Sequence, residues 1–229
     1  MKNAFLTISL YVIAQFASGQ ATTGMKNGPT SDVTAMSLRE LDLDGTPLEV
    51  FMEVTRAAGM SGGIVLSDPG CAYGPKKKFH IEAGTTLRHA LNEIAAGTGS
   101  KWTIDNGVII MFPLGGVPPL LATRIQKFEW DKRMSAKATV DRLSISPEVV
   151  QQIEQLGLKG GTTEGGATAV CIQKCEEAAK PEPAPQVEED ITLLAALNRV
   201  AAAHDRMVWA YLEYHCQKDT NYALYVAAE

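Results

Sequence analysis

A segment of eleven residues that occurs twice constrains the fold of this chain more than any other sequence feature. The segment TLRHALNEIAA at residues 86–96 returns as TLLAALNRVAA at residues 192–202, with seven of the eleven positions identical. Downstream, Trp102 is matched by Trp209 after a shift of one residue. The apolar residues of both copies recur at helical spacing on one face. The repeat therefore predicts a structural unit that is present twice and built around an amphipathic helix.

Three of the four differences between the two copies lie on the polar side of the predicted helix, and the fourth, Ile94 to Val200, keeps an apolar residue. The helix's other apolar residues are kept, so the repeat preserves a packing face and changes a surface. We therefore expect recognition to involve parts that the copies do not share. The replaced residues are Arg88, His89 and Glu93, which become Leu194, Ala195 and Arg199.

The N-terminus has the three parts of a secretory signal peptide. Lys2 supplies a positive charge, residues 4–16 carry no charge and are mostly apolar, and residues 17–19 are small. The apolar part is too short to span a bilayer comfortably. We expect cleavage after Gly19, with Ala21 as the second choice, and hence export to the periplasm. Residues 20–37 are small and polar, and we interpret them as a flexible mature N-terminus.

Composition excludes some classes of partner. The chain has 229 residues, which suits one large domain or two small ones, and a net charge of −5. Nucleic acid is therefore not an expected partner, because no basic face is implied. No segment after the signal peptide is long and apolar enough to predict a membrane span.

Residues 38–113 predict a first domain with the order β-α-β-β-α-β-β. Thr46, Pro47 and Glu49 form a helix start with a capping box, and Gly59 ends that helix. The repeated helix follows two further strands. Asn106-Gly107 then predicts a type I′ hairpin turn between the last two strands.

Residues 114–123 predict a linker, and residues 124–229 predict a second, degraded copy of the domain. Its expected elements are a strand at 124–130, a helix that begins at Pro147, a helix at 191–204 and a final hairpin. A disordered insertion is expected at about 159–190, with a strand at 169–172 inside it. The predicted fold class is α+β: two small βαββαββ-type modules, each with its helices on one face of a mixed sheet.

The four cysteines predict disulfides, because their number is even and export leads to an oxidising compartment. Three connectivities are open. Cys171 and Cys175, with Cys216 and nearby histidines, also have ligand types that suit zinc. A thiol oxidoreductase would require Cys-x-x-Cys, whereas the spacing here is Cys-x₃-Cys. The candidates are Cys71, Cys171, Cys175 and Cys216.

No motif for a nucleophile, a zinc protease or a phosphate-binding loop is present, so we expect neither catalysis nor a cofactor. The aromatic residues of the final hairpin have two interpretations. They pack across the strands, or they form an exposed row on a closing edge strand that binds a protein partner or a glycan. The residues are Trp209, Tyr211, Tyr222 and Tyr225.

The order of elements, together with the motif T-L-x-x-A-L-N-x-I at residues 86–94, resembles the secretin and TonB short N-terminal domain. The resemblance includes Gly97, Gly99 and Trp102, covers residues 41–66 and 79–112, and extends loosely to residues 192–226. It implies non-catalytic protein contacts in the periplasm of double-membrane bacteria, beside an outer-membrane pore or receptor. Because no pore or barrel region follows, we expect a stand-alone adaptor that docks a sheet edge or helix face onto an envelope protein.

Overall fold

The computed structural model describes residues 32–68, 76–164, 185–216 and 218–227. All of them belong to a single unit, Asp32–Glu229. The predicted signal peptide, and the strand predicted at 169–172, lie outside the described residues. Within the described ranges, no helix has both the length and the hydrophobicity needed to cross a bilayer.

The first half has the predicted order of elements. The capping box is present: the Thr46 hydroxyl accepts a hydrogen bond from the Glu49 N–H at 3.4 Å, and the Glu49 carboxylate accepts one from the Thr46 N–H at 2.7 Å. Asn106 and Gly107 have φ angles of 50° and 80°, which a type I′ turn requires. The elements are β1 (Leu41–Gly45), α1 (Pro47–Ala57), β2 (Ser61–Asp68), β3 (Lys77–Ile81), α2 (Leu87–Thr98), β4 (Ser100–Asp105) and β5 (Val108–Pro113).

The second half contains one helix and two strands that the sequence analysis did not predict. The helix follows Ser135, whose hydroxyl accepts a hydrogen bond from the Ala138 N–H at 3.1 Å. The two strands occupy the ends of the insertion that was expected to be disordered at 159–190, so that expectation is wrong there. The elements are β6 (Arg124–Trp130), α3 (Ala136–Ser144), α4 (Pro147–Leu156), β7 (Lys159–Glu164), β8 (Gln186–Thr192), α5 (Leu193–Ala203), β9 (Val208–Cys216) and β10 (Asp219–Ala227).

Both halves pair their strands in the same way. In the first half β1 pairs antiparallel with β3, while β5 pairs parallel with β2 and antiparallel with β4. In the second half β6 pairs antiparallel with β8, while β10 pairs parallel with β7 and antiparallel with β9. The sequence repeat therefore corresponds to a repeat of topology, and the α+β class is confirmed.

The two halves share one sheet. Strand β2 of the first half pairs parallel with β9 of the second, which gives the order β4-β5-β2-β9-β10-β7. The expected linker at 114–123 is also packed: Leu120 and Leu121 are buried, and the Leu121 carbonyl accepts a hydrogen bond from the Leu194 N–H at 2.9 Å. The two predicted modules therefore pack together through a shared sheet.

The helices of the two halves cover opposite faces of the shared sheet. Side chains of α1 and α2 pack with Ile64, Ile109 and Met111. Side chains of α3 and α5 pack with the alternating residues, such as Val65 and Val108. Each half thus keeps its helices on one face of its own strands, and the other half covers the remaining face.

The residues just before β1 are ordered, unlike the flexible N-terminus that was expected as far as residue 37. A 3₁₀ helix spans Val33–Ala35, and Ser37 forms an isolated bridge with Thr86. The Leu87 N–H donates to the Met36 carbonyl at 2.8 Å. This segment therefore lies against the start of α2.

We expect Gly63→Ala to destabilise the protein by about 1–3 kcal/mol, because overpacking in a dense core has a cost of that order. A Cβ at Gly63 would lie 2.2 Å from the indole ring of Trp209. Urea unfolding followed by circular dichroism measures the change. Gly97→Ala is the control: its Cβ meets nothing within 4 Å, and alanine favours the helix by about 0.5–1 kcal/mol. Equal midpoints for the two variants would contradict the role given to Gly63.

Candidate functional site

A hydrogen bond between asparagine and tryptophan occurs once in each half. The Trp102 indole N–H donates to the Asn92 side-chain oxygen at 2.8 Å, and the Trp209 indole N–H donates to that of Asn198 at 3.2 Å. Both asparagines belong to the repeated helix segment. Each bond therefore links the indole ring of a strand to the helix that precedes it, along a groove between the two elements.

In the second half this groove is filled by strand β2. Trp209 is fully buried and Asn198 is 4% exposed. Strand β2 lies along β9 and packs against α5, with Gly63 directly beside the Trp209 ring. Glycine is required there, because the ring occupies the space of a Cβ. The groove between α5 and β9 thus receives an extended strand.

In the first half the equivalent groove is open. It lies between α2 and β4 and has a volume of about 820 Å³. Trp102 is only half-buried and Asn92 is exposed. Strand β4 pairs with β5 alone among the described strands, so it is an edge of the sheet. The outer side of β4 corresponds to the side of β9 on which β2 pairs. We define this region, the groove together with the outer side of β4, as the α2/β4 groove.

Charged residues line one end of the α2/β4 groove. The Arg88 guanidinium lies 6.0 Å from the centroid of the Trp102 ring and 2.9 Å from a carboxylate oxygen of Asp32. The Thr34 hydroxyl donates to Asp32 at 2.6 Å, and the hydrogen bonds from Thr34 and Arg88 lower the pKa of Asp32. Asp32 therefore stays ionised and holds Arg88 beside the ring, where a cation is attracted by the π face.

The face of β4 opposite Trp102 carries polar side chains, whereas the equivalent face of β9 carries apolar ones. Alignment on the two tryptophans matches Lys101, Thr103 and Asp105, which are exposed, with buried residues of β9. Charged side chains, lysine above all, restrain uncontrolled pairing at a sheet edge. The edge is therefore suited to a selective partner. The matching β9 residues are Val208, Ala210 and Leu212.

The aromatic residues predicted as a partner surface are mostly part of the core, which corrects that expectation. Trp209, Tyr211 and Tyr222 are 0%, 1% and 7% exposed. The rings of Tyr211 and Tyr222 stack with centroids 6.2 Å apart, and burial raises the pKa of both phenols. Only Tyr225 is half-buried, beside a small apolar hollow of about 200 Å³. The reason is topological: β9 and β10 lie inside the sheet and not at its edge.

The cysteine hypotheses keep the status of predictions. Cys71, Cys171 and Cys175 lie outside the described residues. Cys216 ends β9, and its backbone pairs with Asp219. Neither the disulfides nor the thiol and zinc alternatives gain or lose support from this placement.

Pairing of β1 with β3 creates one cluster of possible metal ligands that the sequence analysis missed. It places Asp42 opposite His80, and a ligand atom of Glu40 lies within 4.8 Å of theirs. The Asp42 carboxylate is 2.6 Å from the His80 ring nitrogen, and this hydrogen bond raises the pKa of His80. All three residues are exposed, so the cluster is accounted for as a surface ion pair and does not by itself define a metal site.

Comparison of the chain with family models, with curated proteins and with solved structures gives no match. Function is therefore inferred from the α2/β4 groove, which offers an aromatic ring, an amide, a cation and a free strand edge. The sequence did contain a signal for the groove, since Asn92 and Trp102 both belong to the repeat. Their greater exposure compared with Asn198 and Trp209 depends on how the halves join.

We expect Asn198→Ala to reduce the free energy of unfolding by about 1–3 kcal/mol, because it leaves the buried indole N–H of Trp209 without an acceptor. Asn92→Ala is the matched control. It removes the same bond beside the half-buried Trp102, where water can replace the acceptor, so its cost stays below about 1 kcal/mol. Urea denaturation of both variants measures the difference. Equal losses would contradict the contrast between the two grooves.

The next prediction concerns His204, whose Nε2 is buried and has no hydrogen-bond partner among the described residues. Burial lowers the pKa of His204 below its ordinary value of 6.5. The folded state then binds fewer protons than the unfolded state, so stability that is present above pH 6.5 falls as the pH drops below that value. We expect His204→Gln to flatten this part of a pH–stability curve measured by thermal unfolding. An unchanged slope would show that His204 does not contribute to it.

Proposed function

We propose that this protein is a non-catalytic binding module of the bacterial cell envelope, which receives an extended segment of a partner protein in the α2/β4 groove. One observation carries the proposal. The equivalent groove of the second half already holds an extended strand, β2, in parallel pairing with β9. The first half has the same indole and amide in the same relation, and its groove is open.

Binding would proceed by addition of a strand to the sheet. The backbone groups on the free side of β4 pair with those of the partner segment and supply affinity that depends little on sequence. Trp102 then covers a position of that segment where a small residue is needed, as Gly63 is needed beside Trp209. Lys101 and Asp105, which are exposed, favour segments with complementary charges and disfavour others.

The cellular location in this proposal comes from the sequence. The predicted signal peptide supports a periplasmic location for the mature chain, and the resemblance to the short N-terminal domain implies contact with an envelope protein such as an outer-membrane pore or receptor. A glycan site on the last hairpin receives no support, because most of its aromatic rings are buried. A thiol or zinc function of Cys171, Cys175 and Cys216 is a separate hypothesis that titration of free thiols in the mature protein would test.

A photo-cross-linking amino acid at Thr103 tests the proposal in intact cells. Thr103 is exposed on β4, and the same amino acid at the exposed position Gln151 on α4 is the control. We expect Thr103 to yield a cross-link to an exported protein, identified by mass spectrometry, and Gln151 to yield none to that protein. Absence of a cross-link from Thr103, or the same cross-links from both positions, would refute the proposed site.

A further inference from the structure

The two halves of the sheet are joined head to tail. The strand order is β4-β5-β2 in the first half and β9-β10-β7 in the second, so the last strand of one half meets the first strand of the other. The pairings make β9 antiparallel to its counterpart β4, and the helices of the second half cover the opposite face. The halves are thus related by a half-turn about an axis in the sheet, combined with a shift of three strands.

A head-to-tail relation of this kind does not form a closed ring. The contact surface of one half is therefore unused at one end of the sheet, and the complementary surface is unused at the other end. Strand β4 is the free edge of the first half, and β7 is the outermost described strand of the second. Applying the half-turn and shift twice restores the original orientation. A second copy placed beyond β7 would therefore bring its β4 alongside β7 in parallel, as β9 lies alongside β2.

Strand β7 begins with the same glycine pattern as β2. Residues 59–63 read GMSGG and residues 157–161 read GLKGG. The first glycine follows a helix in each case, with φ angles of 63° and 62°. The next N–H donates to a helical carbonyl at 3.0 Å in both, from Met60 to Thr55 and from Leu158 to Ile153. Gly161 is therefore the counterpart of Gly63 in this local pattern. Relative to the tryptophan of its own half, however, β7 is shifted by two residues: Gly63 pairs with Ile110, next to the residue opposite Trp102, whereas Gly161 pairs with Ala223, three residues before the one opposite Trp209.

Gly161 also lies on the side of the sheet that such a contact requires. It pairs with Ala223 of β10, whose neighbours Tyr222 and Leu224 point into the core formed with α3 and α5. Ala223 and Gly161 consequently face the other side, because side chains alternate along a strand. Trp102 belongs to the core on that same side. A Trp102 ring from a second copy meets this glycine when that copy is displaced by two residues along β7 relative to the contact of β9 with β2, because a shift of two residues keeps the same face of the strand.

We propose that the occupant of the α2/β4 groove is strand β7 of a second copy of this chain, with Gly161 beneath Trp102. This inference rests on the proposed function and names its partner. Successive copies extend one sheet by six strands each, which corresponds to about 29 Å at the usual strand spacing. The polar residues of β4 replace apolar ones of β9, so the contact between copies is weaker than the internal contact and is reversible.

Gly161→Val tests this proposal. No described residue lies within 4 Å of a Cβ at Gly161, so valine fits this part of the protein, whereas it would collide with Trp102 of a second copy. Sedimentation equilibrium of the mature chain over about three decades of concentration around the micromolar range measures association. We expect the weight-average mass of the natural protein to rise beyond that of a dimer and that of Gly161→Val to remain monomeric. Gly115→Val is the control, since Gly115 has equally open space, and it should associate like the natural protein.

The cross-linker at Thr103 supplies a second readout on the purified protein, where the cross-link should fall within residues 159–164 of another copy. A natural protein that stays monomeric throughout, or equal association by Gly161→Val, would overturn the inference. If Thr103 still cross-linked a different exported protein in cells, the proposed function would stand and only self-association would fall. Absence of both kinds of cross-link would overturn both proposals.

Discussion

The parallel contact between β2 and β9 joins the two halves of this protein into one sheet. It lies where the two halves meet, and it places a glycine against the face of a buried tryptophan. A small half-chain has too much surface for its volume to be very stable alone. Here each half covers the sheet face that the helices of the other half leave bare, so Val65 and Val108 are buried by elements from the far end of the chain.

The same contact gives the recurring hydrogen bond between asparagine and tryptophan a different environment in each half. Asn198 and Trp209 are enclosed and serve the core, whereas Asn92 and Trp102 have the same hydrogen bond and remain accessible. Nothing in the bond itself makes this difference. It arises because β9 has β2 on its outer side, whereas the outer side of β4 has no neighbour among the described strands. In the first half the packing motif is therefore accessible, and Arg88 and Asp32 form an ion pair at its rim.

The elements that sequence analysis recovered are those with strong local signals. The capping box of α1, the apolar face of α2 and the Asn106-Gly107 turn each depend on interactions within a few residues, so they were predicted close to their observed bounds. Helix α3 was missed because its buried face includes Ala136 and Thr139, which weaken the apolar period. Strands β7 and β8 were missed because glycine, threonine and acidic residues are typical of loops.

The candidate site shows the limit of such predictions most clearly. Local periodicity and comparison of the chain with itself were enough to predict the α+β class, the duplicated helix and the asparagine and tryptophan that recur with it. That the halves share one sheet, that Trp209 is enclosed and that Trp102 lies at the edge of the described sheet became visible only in the three-dimensional fold. Those outcomes depend on which strands become neighbours, and pairing between distant strands leaves no periodic trace in either strand alone.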